Sequence, residues 1–147
     1  MADAPRRAEA VWQGSLGQGS GEVSLVTSGA AGPLPVTWAS RTARSEGKTS
    51  PEELVAAAHA ACYCMALSHA LDQQGHAPEK LETAVTVTFK EAEGGWKVGT
   101  SEIEVTGTVP GMDEAAFRKA AEDARDGCPI SGALKGNVEL SVKARLA

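Results

Sequence analysis

The stretch Ser50-Pro51-Glu52-Glu53-Leu54-Val55-Ala56-Ala57-Ala58-His59-Ala60-Ala61-Cys62-Tyr63-Cys64-Met65-Ala66-Leu67-Ser68-His69-Ala70-Leu71 reads as one long helix, nearly uncharged, with a cysteine at its middle. Ser50 is a good N-cap, Pro51 suits the first helical position, and Glu52 and Glu53 put negative charge where the helix dipole is positive. Gly75 supplies a left-handed stop and Pro78 blocks continuation. Alanine and other good helix formers fill the interval, apolar on nearly every side. That composition predicts a helix buried all round rather than an amphipathic surface helix.

Working outward toward the N-terminus, Ala8–Gln13 and Glu22–Thr27 have strand composition and flank the turn Gly17-Gln18-Gly19-Ser20-Gly21, which predicts a hairpin. No lysine follows those glycines in a phosphate-loop pattern, so they read as a turn. Val36–Ser40 is expected as a third strand, followed by a polar connection holding Arg41, Arg44, Glu46 and Lys48. Residues 1–7 read as a flexible tail.

Beyond the helix, Leu81–Glu91 alternates with Val85, Val87 and Phe89 on one face. Glu93-Gly94-Gly95 then turns the chain into Trp96–Val109, giving an antiparallel hairpin. A second helix is predicted over Glu114–Asp126 with the apolar stripe Ala116, Phe117, Ala120, Ala121 and Ala124, stopped by Gly127. Cys128-Pro129-Ile130-Ser131 opens a short further turn, and Asn137–Lys143 is a final strand. Strands joined by short turns and interrupted by two helical segments predict a single α+β domain over residues 1–147.

The chain has 14 basic and 19 acidic side chains and a net charge of −5, which argues against a nucleic-acid partner. Aromatic residues make up only 4% of the chain, so small side chains carry the packing, a weak argument for a dimer. Three cysteines at spacings unlike a secreted disulfide framework suit a reducing compartment. No secretory signal and no membrane-spanning run are recognised, and a cytoplasmic location is expected.

A cysteine among alanines in a buried helix is most often a small apolar side chain, which is the plain reading of Cys62. Cys128 is more suggestive, because Gly127 and Pro129 put its sulfur at the N-cap of a new turn, where free N–H groups lower a thiol's pKa. Proline after an N-cap also occurs for structural reasons, so both readings of Cys128 stand. Cys64 lies about 200° around the helix from Cys62 and reads as packing. His59 shares a face with Cys62, but no third group orients its imidazole, and a helix-packing histidine is favoured over a Cys–His hydrolase. His59, Cys62 and His69 do not form a ligand set, and no metal or cofactor is expected. Glu52 has a sufficient explanation in the first turn, and Arg41 and Arg44 in a solvated loop.

Ser50-Pro51-Glu52-Glu53-Leu54, the run Ala57–Cys62 and Gly127-Cys128-Pro129-Ile130-Ser131 together resemble the OsmC/Ohr family of thiol-dependent hydroperoxide reductases, its OsmC branch above all. The resemblance implies an intertwined homodimer with antiparallel strands wrapped around long central helices and active sites at the subunit interface. It implies a peroxidatic role for Cys62, a resolving role for Cys128, and a salt-bridging role for Glu52 toward a catalytic arginine. Arg41 and Arg44 both lie in the loop where that arginine is expected, and Arg41 is preferred. The implied substrates are organic hydroperoxides and an external thiol or dithiol reductant. A non-catalytic dimer binding an apolar small molecule, with inert cysteines, is the alternative.

Overall fold

The β4–β5 hairpin is the longest ordered feature of the chain, pairing Lys80–Ala92 with Gly95–Thr108 in antiparallel register from Lys80↔Thr108 to Ala92↔Gly95. The structure is a computed structural model that describes residues 2–147. Its elements run β1 (Ala8–Gln13), β2 (Ser20–Leu25), β3 (Leu34–Val36), α1 (Trp38–Thr42), α2 (Pro51–Gln73), β4, β5, α3 (Glu114–Gly127), α4 (Pro129–Leu134) and β6 (Glu139–Leu146). They belong to two compact units that divide between Pro51 and Glu52.

In the first unit, β1, β2 and β3 form an antiparallel sheet in that order. A Cβ at Gly19 would collide with the carbonyls of Gln13 and Ser15, which is why the β1–β2 turn is built on glycine. The predicted third strand stops at Val36 and gives way to α1. Thr37 explains the change: its hydroxyl accepts from the Ser40 N–H while the Ser40 hydroxyl accepts from the Thr37 N–H, a reciprocal box that starts a helix. The Ser40 hydroxyl also donates to the Thr49 carbonyl at 2.9 Å, tying α1, and with it Arg41, to the segment before α2. Among the described residues of this unit only Thr49 is buried, and Val11, Trp12, Leu16 and Val26 are exposed.

Helix α2 begins at Pro51 as predicted, and from Glu52 onward it belongs to the second unit. It ends in a Schellman motif, with Gly75 at φ +81°, the His76 N–H on the Leu71 carbonyl and the Gly75 N–H on the Asp72 carbonyl. The expectation of burial all round does not hold within the chain. Tyr63, Leu67 and Leu71 follow His59 at helical spacing and are fully buried, while Met65 on another face is 73% exposed. Alanines have no strong sidedness, so composition could not reveal which face the chain covers. The helix is also long and apolar enough to cross a membrane, with a mean hydropathy of 1.5. That amends the expectation that no such run exists. Its buried face carries polar groups bonded to β5, α3 and α4, the pattern of a core helix.

The Tyr63 hydroxyl donates to the Ala121 carbonyl at 2.7 Å, locking α2 to α3. Asp113 caps α3 by accepting from the Ala116 N–H at 2.8 Å. Phe117, Ala120, Ala121 and Ala124 are buried as the stripe predicted, whereas Ala116 at its edge faces solvent. β6 joins β5 in parallel, from Thr100↔Glu139 to Gly107↔Leu146. Two helices intervene between these strands, a crossover rather than a tight turn, and that is the connection a parallel pair requires. The α+β class stands.

Candidate active site

Cys62 lies midway along α2 and Cys128 forms the junction between α3 and α4, as C-cap of the first and N-cap of the second. Helix α3 cannot continue through Pro129, and Pro129 fits the first position of α4, so the chain turns at the cysteine. The two sulfurs are 3.1 Å apart although 66 positions separate them in sequence. Cys62 is partly exposed and Cys128 is only 1% exposed, so the pair has an outer and an inner thiol. All three cysteines are free thiols.

The two sulfurs differ electrostatically. At Cys128, burial opposes ionisation, but the Ser131 N–H, the Cys62 thiol, the Ser131 hydroxyl and the Ile130 N–H outweigh it and hold the thiol below its usual range. At Cys62, burial pushes the thiol up, helped by the hydrogen bond and charge of Cys128 and only partly countered by the Ile130 N–H. The two thiols are hydrogen-bonded at 3.1 Å and titrate as a pair.

His59 does not bond Cys62. It is fully buried, with Nδ1 2.7 Å from the Ser101 hydroxyl on β5 and Nε2 2.7 Å from the Ser131 hydroxyl on α4. Burial lowers its pKa, so the ring is neutral. The favoured packing role is thus a hydrogen-bonded one, with two serines that the sequence reading did not single out as partners. Ser131 lies within the motif around Cys128 and carried a signal by position, whereas Ser101 carried none.

The Cys64 thiol donates to Thr83 Oγ1 on β4 at 3.0 Å, in agreement with its reading as a packing residue away from Cys62. Glu52 is 6% exposed in the first turn of α2. About 15 Å of helix rise separates it from Cys62. Arg41 sits in the last turn of α1, in the first unit, and Arg44 lies in the loop beyond. Among the described residues no cluster of three or more His, Cys, Asp or Glu side chains is placed to hold a metal.

Comparison with known proteins gives a consistent result. The profile of the family described as OsmC-like protein matches residues 44–143. The chain is 34% identical over 135 residues to Peroxiredoxin OsmC of Escherichia coli, covering 92% of this chain and 93% of that one. It is 32% identical over 104 residues to the organic hydroperoxide resistance protein OhrB of Bacillus subtilis, covering 69% and 74%. The crystal structure of Bacillus subtilis OhrB is similar with a TM-score of 0.74 and 25% identity, over 95% of this chain and 98% of that one. A Legionella pneumophila organic hydroperoxide resistance protein OsmC gives a TM-score of 0.73, also at 25% identity, over 97% and 99%. The motifs around Cys62 and Cys128, the hairpin and helix arrangement that joins them, and these similarities agree that the chain belongs to the OsmC-like protein family.

Proposed function

We propose that this protein is a thiol-dependent peroxidase that reduces organic hydroperoxides through Cys62 and Cys128. The observation that carries the reading is the 3.1 Å approach of a partly exposed thiol to a buried one. A peroxide reaches the outer sulfur first, so Cys62 is the peroxidatic residue. Its thiolate attacks the distal peroxide oxygen; an S–O bond forms, the O–O bond breaks, and the alkoxide leaves as an alcohol after taking a proton. Cys62 is then a sulfenic acid. The Cys128 thiolate attacks that sulfur, an S–S bond forms, the S–O bond breaks, and water leaves. An external thiol or dithiol returns both cysteines to the reduced state by exchange.

Because burial pushes the Cys62 thiol up, the nucleophile needs a cation to hold charge on it. Arg41 is assigned that role in preference to Arg44, with Glu52 fixing the guanidinium through a bidentate pair. Val55, Ala58 and Met65 share a helical face with Cys62 and give it apolar surroundings suited to an organic peroxide. A homodimer is part of the proposal. A three-stranded sheet with exposed Val11 and Trp12, the turn after β2 with exposed Val26, and a helix with exposed Met65 leave apolar surface that a second copy would cover. One domain over residues 1–147, acting in the cytoplasm, completes the reading.

The test is peptide mass spectrometry after stoichiometric organic hydroperoxide. A Cys62–Cys128 disulfide that is absent in Cys62→Ser is expected. Unmodified thiols would sink the proposal and favour a non-catalytic binding module.

A further inference from the structure

We propose that His59 and Ser131 are positioning residues for the resolving thiol. His59, anchored by Ser101, aims the Ser131 hydroxyl at the Cys128 sulfur and thereby sets how fast Cys128 closes onto oxidised Cys62. The inference deepens the peroxidase reading and rests on the resolving role of Cys128.

The geometry is a continuous chain across three elements. Ser101 on β5 lies 2.7 Å from His59 Nδ1, and His59 Nε2 lies 2.7 Å from the Ser131 hydroxyl on α4. Ser131 stands in the first turn of α4, three residues after its N-cap Cys128, where its hydroxyl favours the Cys128 thiolate. Ser101 and His59 are fully buried and Ser131 is 2% exposed, so water does not compete for these groups.

Counting donors fixes the direction. A neutral imidazole has one N–H and one lone pair. If Ser131 gives its only proton to an anionic Cys128, its oxygen must receive one from His59 Nε2, and Nδ1 must then accept the Ser101 proton. Every hydrogen then points toward the sulfur. Opposite tautomers would aim the Ser131 hydrogen at the imidazole and leave the thiolate with its backbone donors alone. His59 thus selects between two states of one hydroxyl, which a packing residue would not do.

The chemistry affected is the second step. Cys128 thiolate attacks the Cys62 sulfenic sulfur, the S–S bond forms, and hydroxide leaves the sulfenic group and is protonated to water. The bonds made and broken in sulfenic acid formation lie at Cys62 and the peroxide, so the chain acts directly on closure alone. The titratable side chain bonded to Cys128 is Cys62, from α2. The partners of His59 on β5 and α4 are serines, neither of which titrates in the working range.

The test separates the two steps in the full-length protein. Sulfenic acid formation and disulfide closure are followed by rapid quench with a sulfenic-acid trap, in wild type, Ser131→Ala, His59→Leu, His59→Gln and Ser101→Ala. Circular dichroism and urea midpoints report folding of each. Closure should slow on the order of tenfold or more in Ser131→Ala and His59→Leu, the loss of one hydrogen bond to a charged group. Sulfenic acid formation should not slow. His59→Gln, whose amide can still donate to Ser131, should recover part of the rate, and Ser101→Ala should show a smaller loss in the same direction. In a Cys62→Ser background, the ultraviolet thiolate signal of Cys128 should titrate at higher pH when Ser131 is alanine. If His59→Leu does not fold, His59→Gln and Ser101→Ala carry the test. Equal slowing of both steps, or unchanged closure with an unchanged Cys128 titration, would overturn the inference. Wild-type thiols indifferent to hydroperoxide would overturn the peroxidase reading instead, and the Cys128 titration would still decide the hydrogen-bond chain.

Discussion

Oxidation should make this protein markedly harder to unfold, and the size of the effect follows from where the two cysteines lie. A Cys62–Cys128 bond closes a loop spanning 66 positions. In the chain-entropy treatment, a loop of that length removes denatured-state freedom worth about 4 kcal/mol at 25 °C. The sulfurs are already in contact, so side-chain rotation brings them to bonding distance and the two helices need not move apart or together. Against the gain stands the loss of the donors now devoted to the Cys128 thiolate, about 1–2 kcal/mol in all. A net of about 2–3 kcal/mol corresponds to a rise in melting temperature of about 5–10 °C for a chain of this size. The assay is scanning calorimetry on reduced and hydroperoxide-treated protein at one fixed protein concentration, because subunit association also shifts the midpoint. A Cys64→Ser background should give the same rise, since Cys64 faces Thr83 on β4 and not the pair. An oxidised form that melts at or below the reduced one would refute the reasoning.

Three other measurements bear on the core, the buried histidine and the assigned arginine. Phe117 is fully buried with its ring pressed against the backbone of Gly107, so Phe117→Ala should cost about 3–5 kcal/mol in urea unfolding, and a loss under about 1 kcal/mol would contradict its place in the core. His59 is held neutral in the fold by burial, below its ordinary value of 6.5, while the unfolded chain takes up a proton as pH drops through that value. Its contribution to stability is therefore complete above pH 6.5 and declines as pH falls toward the lowered folded value, and the wild type should lose stability more steeply than His59→Gln over that interval; parallel profiles would count against it. Arg41→Ala should slow Cys62 oxidation by about 10–100-fold, the worth of a charge-assisted hydrogen bond, with Arg44→Ala close to wild type; the reverse order in stopped-flow kinetics would move the assignment to Arg44.

What the sequence by itself determined was local. Caps and breakers set the ends of α2, period-two alternation gave the β4–β5 hairpin, and Gly127-Cys128-Pro129 marked a helix junction with sulfur at the new N-terminus. Each of these depends on residues near one another along the chain, whose backbone preferences act without tertiary context. The family motifs added the expectation that Cys62 and Cys128 act as a pair. Even so, the short helix α1 was misread as strand, because the β-rich composition of Val36–Ser40 hid the cap that Thr37 and Ser40 make with each other.

Only the tertiary structure decided what lies across long separations. The approach of Cys62 to Cys128, the parallel seat of β6 beside β5, and the bonds from His59 to Ser101 and Ser131 are pairings that no spacing encodes. An alanine-rich helix has no polar face to announce its orientation, so which side of α2 turns inward waits on packing. Once Tyr63, Leu67 and Leu71 are buried, His59 is buried with them, and a buried imidazole must find partners within the fold. That requirement, imposed by desolvation rather than by sequence pattern, is what draws two distant serines to it and links β5 to the loop that carries the second thiol.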